Sequence, residues 1–213
     1  MDLREIKIFK NLSNEDLEII KSKTAFIEKS YAKGEYIFRI NDRSNDLFYL
    51  IEGGLNVYQI DSNGKRFIFQ NFNKPTLFGE VYSYLGEDFD FDCECAVDSK
   101  ILIIKNFRKI FENPCPEDFL RSYINFLSYK CLALSKKNQI TSQASLRQKI
   151  GKFLIENEKE GKVTLSMKRE DLADYLSTTR PSLSRELSKM TDEGIIKAGG
   201  DYIEILDRDG IQF

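Results

Sequence analysis

One stretch near the C-terminus, Met167–Ile196, constrains the fold of this chain more than any other. Its apolar residues repeat at helical spacing in two short runs that are separated by a polar break. The runs are Leu172, Ala173 and Leu176, then Leu183, Leu187 and Met190. This spacing predicts two short helices joined by a tight turn, which is the pattern of a helix-turn-helix.

The second predicted helix has clear start and stop signals. Thr179 is a candidate N-cap, because its hydroxyl can accept from a free backbone N–H of the first turn. Pro181 falls in that first turn, where its missing N–H has no cost. Gly194 is a candidate for the residue that ends the helix.

The open face of this second helix suits DNA. Its cations Arg180, Arg185 and Lys189 outnumber its one acid, Glu186. Arginine can bond two acceptors of guanine in the major groove, and small hydroxyl residues allow close approach. The alternative is that the polar residues only solvate an exposed helix. The predicted DNA-binding residues are Thr179, Arg180, Ser182, Ser184, Arg185 and Lys189.

The residues that follow favour the DNA-binding interpretation. Ile195-Ile196, the pair Gly199-Gly200 and the run Tyr202–Leu206 read as a β-hairpin with a glycine turn. A hairpin directly after the second helix is typical of the wing in a winged helix-turn-helix.

The N-terminal half has a different pattern. Residues 1–23 predict short helices, with Ser13 as a capping candidate. From Thr24 to about Lys105, strand-like runs alternate with turn signals such as Gly53-Gly54 and Asp61–Gly64. This recurrence predicts a sandwich or small barrel, with aromatic residues in its core. The core candidates are Phe38, Phe48, Tyr49, Phe67, Phe69 and Phe78.

The β pattern is interrupted at Phe78-Gly79-Glu80-Val81. A glycine that precedes a helix start leaves free N–H groups, a geometry that suits anions. The simpler interpretation is a turn that joins two strands. We take Phe78, Gly79, Glu80 and Val81 as the candidate effector pocket.

A long helix is predicted from Glu117 to about Thr141, and another over Leu146–Asn157. Along the first, apolar residues alternate steps of four and three, which is a heptad pattern. They are Leu120, Ile124, Leu127, Cys131 and Leu134. Two such helices can form a dimer, although the stripe could instead pack on its own β domain.

Composition excludes several functions. The chain has no histidine, the commonest general base and metal ligand, so we predict no catalytic site and no metal site. Its four cysteines lack zinc or iron–sulfur spacing, which makes redox or metal sensing the less favoured interpretation. No apolar run approaches the length of a membrane span, and the N-terminus lacks the apolar segment of a signal peptide. We therefore predict a cytoplasmic protein that is not an enzyme, without cofactor or membrane contact.

Charge is distributed unevenly along the chain. The net charge is −2, yet the segment from Phe119 to Ile155 carries basic residues and no acidic one. This basic segment leads into the helix-turn-helix, as expected for phosphate contacts. The basic residues are Arg121, Lys130, Lys136, Lys137, Arg147, Lys149 and Lys152.

Three motifs together resemble the CRP/FNR family of bacterial transcription regulators, over nearly the whole chain. They are Gly53-Gly54, Phe78-Gly79-Glu80 and the run Thr179–Leu187. The resemblance implies an α+β fold with an N-terminal β-roll of the cyclic-nucleotide-binding jelly-roll type, a long dimerisation helix and a C-terminal winged helix-turn-helix. It also implies that Arg180, Ser182 and Arg185 contact bases or phosphates.

The chain departs from the cyclic-nucleotide-binding members at one motif. In those members a Gly-Glu pair binds the ribose, and an Arg-Ser or Arg-Thr pair about ten residues later binds the cyclic phosphate. Here the segment Glu87–Glu94 has no arginine and five acids, which would repel a phosphate. We therefore predict an effector other than cAMP or cGMP. No cysteine precedes Cys93, and histidine is absent, so neither FNR-type iron–sulfur nor His-ligated haem sensing is supported.

The resulting hypothesis is a homodimeric, sequence-specific regulator that binds double-stranded operator DNA, with an unidentified small-molecule effector and RNA polymerase as a candidate partner. We divide the chain into a sensing β-roll (1–115), a dimerisation helix and hinge (116–142) and a DNA-binding domain (143–213). Two alternatives stay open: a cyclic-nucleotide-regulated signalling module, and a constitutive DNA-binding regulator with a degenerate pocket. A cupin-type enzyme is disfavoured, because such enzymes usually need histidine ligands.

Overall fold

A computed structural model describes residues 1–60, 64, 66–165 and 167–211, without the side chains of 67–69. The predicted turn residues Asp61, Ser62 and Asn63, and the side chains of Phe67 and Phe69, therefore lie outside the described residues. The chain forms two compact units, Met1–Leu127 and Ser128–Phe213. Within the described part of the chain, no helix combines the length and apolar character needed to cross a membrane.

The first unit opens with two 3₁₀ helices, Leu3–Glu5 and Lys7–Phe9, followed by helix α1, Asn14–Lys23. The predicted cap at Ser13 is confirmed, since its hydroxyl accepts from the backbone N–H of Asp16 at 3.0 Å. Asp16 in turn accepts from the backbone N–H of Ser13 at 3.2 Å, completing a capping box.

Eight strands follow within the described residues, whereas the strand-like runs of the sequence from Thr24 to about Lys105 predict seven. They are β1 Phe26–Tyr31, β2 Tyr36–Phe38, β3 Leu47–Glu52, β4 Leu55–Ile60, β5 Arg66–Phe72, β6 Thr76–Phe78, β7 Asp92–Cys95 and β8 Ser99–Ile104. The additional strand is β6, whose three residues pair antiparallel with β3. The strands form two four-stranded sheets, β1-β8-β3-β6 and β2-β7-β4-β5, and neighbouring strands in both sheets are antiparallel. This is the predicted jelly-roll-like domain.

The sheet that contains β3 is covered on both faces. Phe48 and Leu50 join the cluster inside the roll, whereas Leu47 and Tyr49 join a second cluster with α1 and the 3₁₀ helices. Four consecutive residues of β3 are therefore buried, which hides the alternation expected of a strand with one solvated face.

Two helices and a 3₁₀ helix accompany the roll. Helix α2 is Glu80–Leu85, the 3₁₀ helix is Phe107–Phe111, and helix α3 is Glu117–Thr141. Helix α3 buries Phe119 and Tyr123 in the second cluster, against the 3₁₀ residues Phe107 and Phe111. The long helix has the bounds that its apolar spacing predicts.

The second unit holds the predicted winged helix-turn-helix. Its elements are α4 Leu146–Asn157, β9 Lys162–Thr164, α5 Arg169–Tyr175, α6 Arg180–Asp192, β10 Ile196–Ala198 and β11 Tyr202–Ile205. The three strands form one antiparallel sheet in the order β10-β11-β9. Both predicted apolar runs, from Leu172 to Met190, lie in its core, together with Ile140 from the last turn of α3.

Candidate nucleic-acid interface

The turn between α5 and α6 holds the two helices together. Ser177 adopts a positive φ of 54°, and the backbone N–H of Thr178 donates to the carbonyl of Ala173 at 2.9 Å. Thr179 caps α6 as predicted, because its hydroxyl accepts from the backbone N–H of Ser182 at 3.3 Å. Gly194 follows the helix with a φ of 74°, which confirms its predicted role at the C-terminal end.

Helix α6 presents a polar face to solvent. Leu183, Leu187 and Met190 are buried, so the side of the helix that carries them is fixed to the core. Of the predicted DNA-binding residues, five are exposed and Ser182 is half-buried. The exposed ones are Thr179, Arg180, Ser184, Arg185 and Lys189. The arrangement places hydroxyl and guanidinium groups on one accessible helix.

The two arginines on this face already have partners within the protein. Arg180 forms an ion pair with Glu170 of α5, at 2.6 Å between Nη1 and Oε1, and both side chains are more than half exposed. The Nε of Arg185 donates to the carbonyl of Pro181 at 3.2 Å. Exposed pairs of this kind contribute little stability, so an incoming phosphate or base can replace them.

A cation from α4 pairs with one acid of α6 and with the residue that caps its C-terminal end. Arg147 donates to Glu186 at 2.7 Å and to both carboxylate oxygens of Glu193 at 2.6 and 2.8 Å. These hydrogen bonds raise the pKa of Arg147, and the bond from Arg147 lowers the pKa of Glu193. The sequence marks Arg147 only as part of a basic segment, because its partners lie 39 and 46 residues further along the chain.

An open groove of about 370 Å³ lies between α5, α6 and β10. Arg169, the first residue of α5, reaches this groove and donates through Nη2 to the carbonyl of Gly199 in the wing turn at 3.0 Å. Its Nη1 is buried and has no hydrogen-bond partner among the described residues, and burial lowers the pKa of this guanidinium. Arg169 is not among the DNA-binding residues predicted from the sequence. The groove is lined by Arg169, Arg180, Ser184, Leu187, Ser188, Thr191, Asp192 and Ala198.

The candidate effector pocket is filled by aromatic side chains of the protein. Phe78 and Glu80 are buried, whereas Val81 faces solvent. Phe89 is fully buried and stacks on Phe38 with 3.7 Å between ring centroids. The neighbouring rings Phe48, Phe78, Tyr82 and Phe91 complete this cluster. A side chain added at Gly79 would meet Phe48 at 3.3 Å and Phe89 at 3.6 Å.

The acids of Glu87–Glu94 do not form one repulsive cluster. Asp90 accepts from the hydroxyl of Tyr82 at 2.7 Å, and Asp92 accepts from the backbone N–H of Ile40 at 2.9 Å. Glu94 pairs with Arg66 at 3.0 Å, and Asp88 with Arg43 at 3.6 Å. Cations from distant parts of the chain therefore offset part of the negative charge that the sequence places here.

The predicted heptad stripe on α3 is divided by burial. Leu120 and Leu127 are half-buried, whereas Ile124, Cys131 and Leu134 are exposed. The same helix packs Phe119 and Tyr123 on its own domain, and Leu127 of the stripe packs against that cluster too. Much of the stripe is accessible in the single chain.

The cysteines fit the interpretation of ordinary reduced thiols. Cys93 and Cys95 are buried inside the roll, Cys115 is half-buried, and Cys131 is exposed. Burial raises the pKa of the Cys93 and Cys95 thiols, which disfavours the reactive thiolate. Among the described residues, no three acids or cysteines lie close enough together to hold a metal ion.

Comparisons with known proteins agree with this architecture. The model of the cyclic nucleotide-binding domain matches residues 28–113, and that of the Crp-like helix-turn-helix domain matches residues 148–212. The transcriptional regulator SdrP of Thermus thermophilus is 23% identical over 78% of this chain and 81% of its own. A probable transcriptional regulator, flp of Lacticaseibacillus casei, is 24% identical over 97% and 94%.

A solved structure extends the likeness to the whole fold. A CooA mutant from Carboxydothermus hydrogenoformans superposes with a TM-score of 0.64, at 18% identity, over 99% of this chain and 95% of its own. With its jelly-roll domain, its 25-residue helix and its winged helix-turn-helix, the chain belongs to the CRP/FNR family of transcription regulators.

Proposed function

We propose that this regulator binds operator DNA as a homodimer and inserts α6 of each copy into the major groove. The observation that carries the proposal is the division of α6 into a buried apolar side and an exposed side with Arg180, Ser184 and Arg185. A helix held to its own core along one side and bearing donors on the other can reach base edges without rearrangement.

The groove beside α6 supplies phosphate contacts in this proposal. Arg169 has a buried N–H group without a partner in the described structure, and Arg180 lines the same groove. A backbone phosphate would give that N–H an acceptor and would pair with both cations. We assign Arg185, Ser184 and Lys189 to base or phosphate contacts on the open face of α6. We assign Thr179 and Ser182 to contacts with the DNA backbone at the N-terminal end of the helix.

Dimerisation through the α3 stripe brings two α6 helices to two half-sites. Ile124 and Leu134 are 61% and 68% exposed in the single chain, and a second α3 would remove them from water. The heptad spacing from Leu120 to Leu134 suits a helix of the same sequence.

We propose an effector other than cAMP. Two observations support this: the segment Glu87–Glu94 lacks an arginine, and stacked Phe38 and Phe89 occupy the roll interior. The filled interior also favours the second candidate function, a constitutive DNA-binding regulator. Isothermal titration should detect no cAMP binding at micromolar concentration, and binding there would contradict the proposal.

Fluorescence anisotropy on DNA from upstream of the protein's own gene tests the DNA-binding residues. Replacing Arg180 and Arg185 by alanine should weaken binding by about 100-fold or more at physiological salt, because each bidentate base contact contributes about 1–3 kcal/mol. Arg169→Ala should weaken binding to all DNA sequences alike. It should also reduce the slope of log affinity against log salt concentration by about 1, the loss of one phosphate contact.

Arg208→Ala is the matched control, since Arg208 is 64% exposed in the same unit and pairs with Glu158, away from α6. Wild-type affinity in the double variant, with the dimer intact by light scattering, would contradict the assignment. Repeating the titration with and without cell extract separates regulated from constitutive binding.

A further inference from the structure

Helix α2 exposes apolar side chains on the side that faces away from the roll. Val81, Tyr84 and Leu85 are 49%, 40% and 59% exposed, and their spacing puts them on one face of the helix. Glu80 and Ser83, on the other side, are buried. The polarity of a surface helix is thus reversed here, because the exposed side is apolar and carries no charge.

This face lies beside α3. The ring of Tyr84 is 4.9 Å from that of Phe111 and 6.4 Å from that of Tyr123, measured between centroids. Burial, together with the nearby charge of Glu80, raises the pKa of Tyr123. The next residue of α3 is Ile124, the first exposed member of the heptad stripe. The apolar face of α2 and the first part of the stripe, Leu120–Leu127, therefore lie in the same unit, on either side of Tyr123.

The adjoining part of α3 is also uncharged. No charged residue occurs from Ser122 to Tyr129, although 31% of the residues of the chain are charged. The first unit covers part of this segment, through Tyr123, Phe126 and Leu127. The rest of the segment, with Ile124 at 61% exposure, has the composition of a surface that is covered.

We infer that α3 of a second copy covers both surfaces, so that Val81 and Leu85 of α2 belong to the dimer interface. The inference rests on the proposed homodimer and adds a second element to it. In a twofold dimer the same surface of both copies forms the interface, so whatever α3 of one copy contacts on its partner, the partner's α3 contacts in return. A helix seated on the stripe from Leu120 to Leu134 is thus flanked by α2, and its own uncharged segment supplies an apolar contact.

In this interface Val81, which contacts the partner, directly follows the Gly79-Glu80 segment in the sequence. Gly79 and Gly86 bracket α2 with φ values of 79° and 72°, backbone conformations that few other residues adopt readily. A ligand or rearrangement that shifts α2 would therefore change dimer affinity, and dimerisation would change α2 by the same factor. Effector binding beside α2 and dimerisation would then be coupled through α2 itself, and no change elsewhere in the roll would be needed.

Photo-crosslinking of the full chain tests the contact directly. p-Benzoylphenylalanine at position 81 or 85 should give a covalent dimer on irradiation. The same group at Ile27 of β1, which is 47% exposed, should give none. Absence of crosslinks from both α2 positions, in a protein that is dimeric by light scattering, would overturn the inference.

Sedimentation equilibrium supplies the second measurement. Val81→Ser combined with Leu85→Ser should raise the dimer dissociation constant by about 10- to 100-fold, because both copies lose apolar contacts. Ile27→Ser should leave it unchanged. A monomeric wild type would refute the proposed homodimer itself, whereas a wild-type dissociation constant in the double serine variant would refute only the role of α2.

Discussion

Two adjacent glycines at the β3–β4 turn should respond very differently to the same substitution. Gly53 has a φ of 107°, and a Cβ there would lie 2.3 Å from Oγ and 2.6 Å from Cα of Ser99. Gly54 has no such conformation, and its Cβ would meet the carbonyl oxygen of Phe72 at 3.4 Å, an ordinary contact. Gly53→Ala and Gly54→Ala therefore form a matched pair.

The cost of Gly53→Ala has two parts. An unfavourable backbone conformation costs about 1–3 kcal/mol, and displacing the backbone of Ser99 costs about 1–3 kcal/mol more. Ser99 cannot move freely, because its buried hydroxyl accepts from the N–H of Gly54 at 3.1 Å and donates to the carbonyl of Val97 at 2.8 Å. We expect Gly53→Ala to lower the free energy of unfolding by about 2–6 kcal/mol, and Gly54→Ala to change it by less than about 1 kcal/mol.

Scanning calorimetry of the full chain measures both variants, with the C-terminal unit as an internal reference. If Gly53→Ala is too unstable to purify while Gly54→Ala purifies like the wild type, that difference is itself the expected result. Equal stability of Gly53→Ala and Gly54→Ala would refute the reasoning, because the two substitutions add the same atoms at neighbouring positions.

Two further predictions concern the dimer stripe and the cation of α4. Mild oxidation should produce a disulfide-linked dimer through Cys131, the exposed thiol on the stripe, and Cys131→Ser should abolish it; a monomeric product on non-reducing gels would contradict the predicted packing. The Arg147 bonds lower the pKa of Glu193, so their stabilisation is present above pH 4.5 and is lost as the pH falls through the lowered value. Glu193→Gln should therefore lose less stability than wild type between pH 7 and pH 3 in urea unfolding, and an identical loss would show that this pair contributes nothing.

Local patterns predicted most of the elements. The bounds of α3 and α4, the Thr179 cap and the end of α6 just before Gly194 follow from apolar spacing and capping residues that lie within a few positions of each other. Strand β6 was not predicted, because Thr76-Leu77-Phe78 is too short to show alternation and is followed directly by Gly79. Its identity as a strand depends on pairing with β3, some 30 residues earlier.

The properties that sequence reasoning missed depend on distant partners. Five acids in Glu87–Glu94 predicted repulsion of an anion, yet Arg43 and Arg66 come from other strands and loops to pair with two of them. Nothing local marks Phe89 as the ring that stacks on Phe38. Spacing alone likewise did not reveal which face of α3 the roll would hold, because Phe119 and Tyr123 compete with the heptad stripe for burial.

The burial of Ile140 within the DNA-binding core has a mechanical consequence. The last turn of α3 and helix α6 share that core, so a rotation of the end of α3 rotates α6 with it. Each α-helical residue adds a rotation of about 100° and a rise of about 1.5 Å. The number of residues between Leu134 and Ile140 therefore sets the direction in which Arg180 and Arg185 point relative to Leu134, and inserting a single alanine there would rotate both arginines by about 100° around the axis of α3.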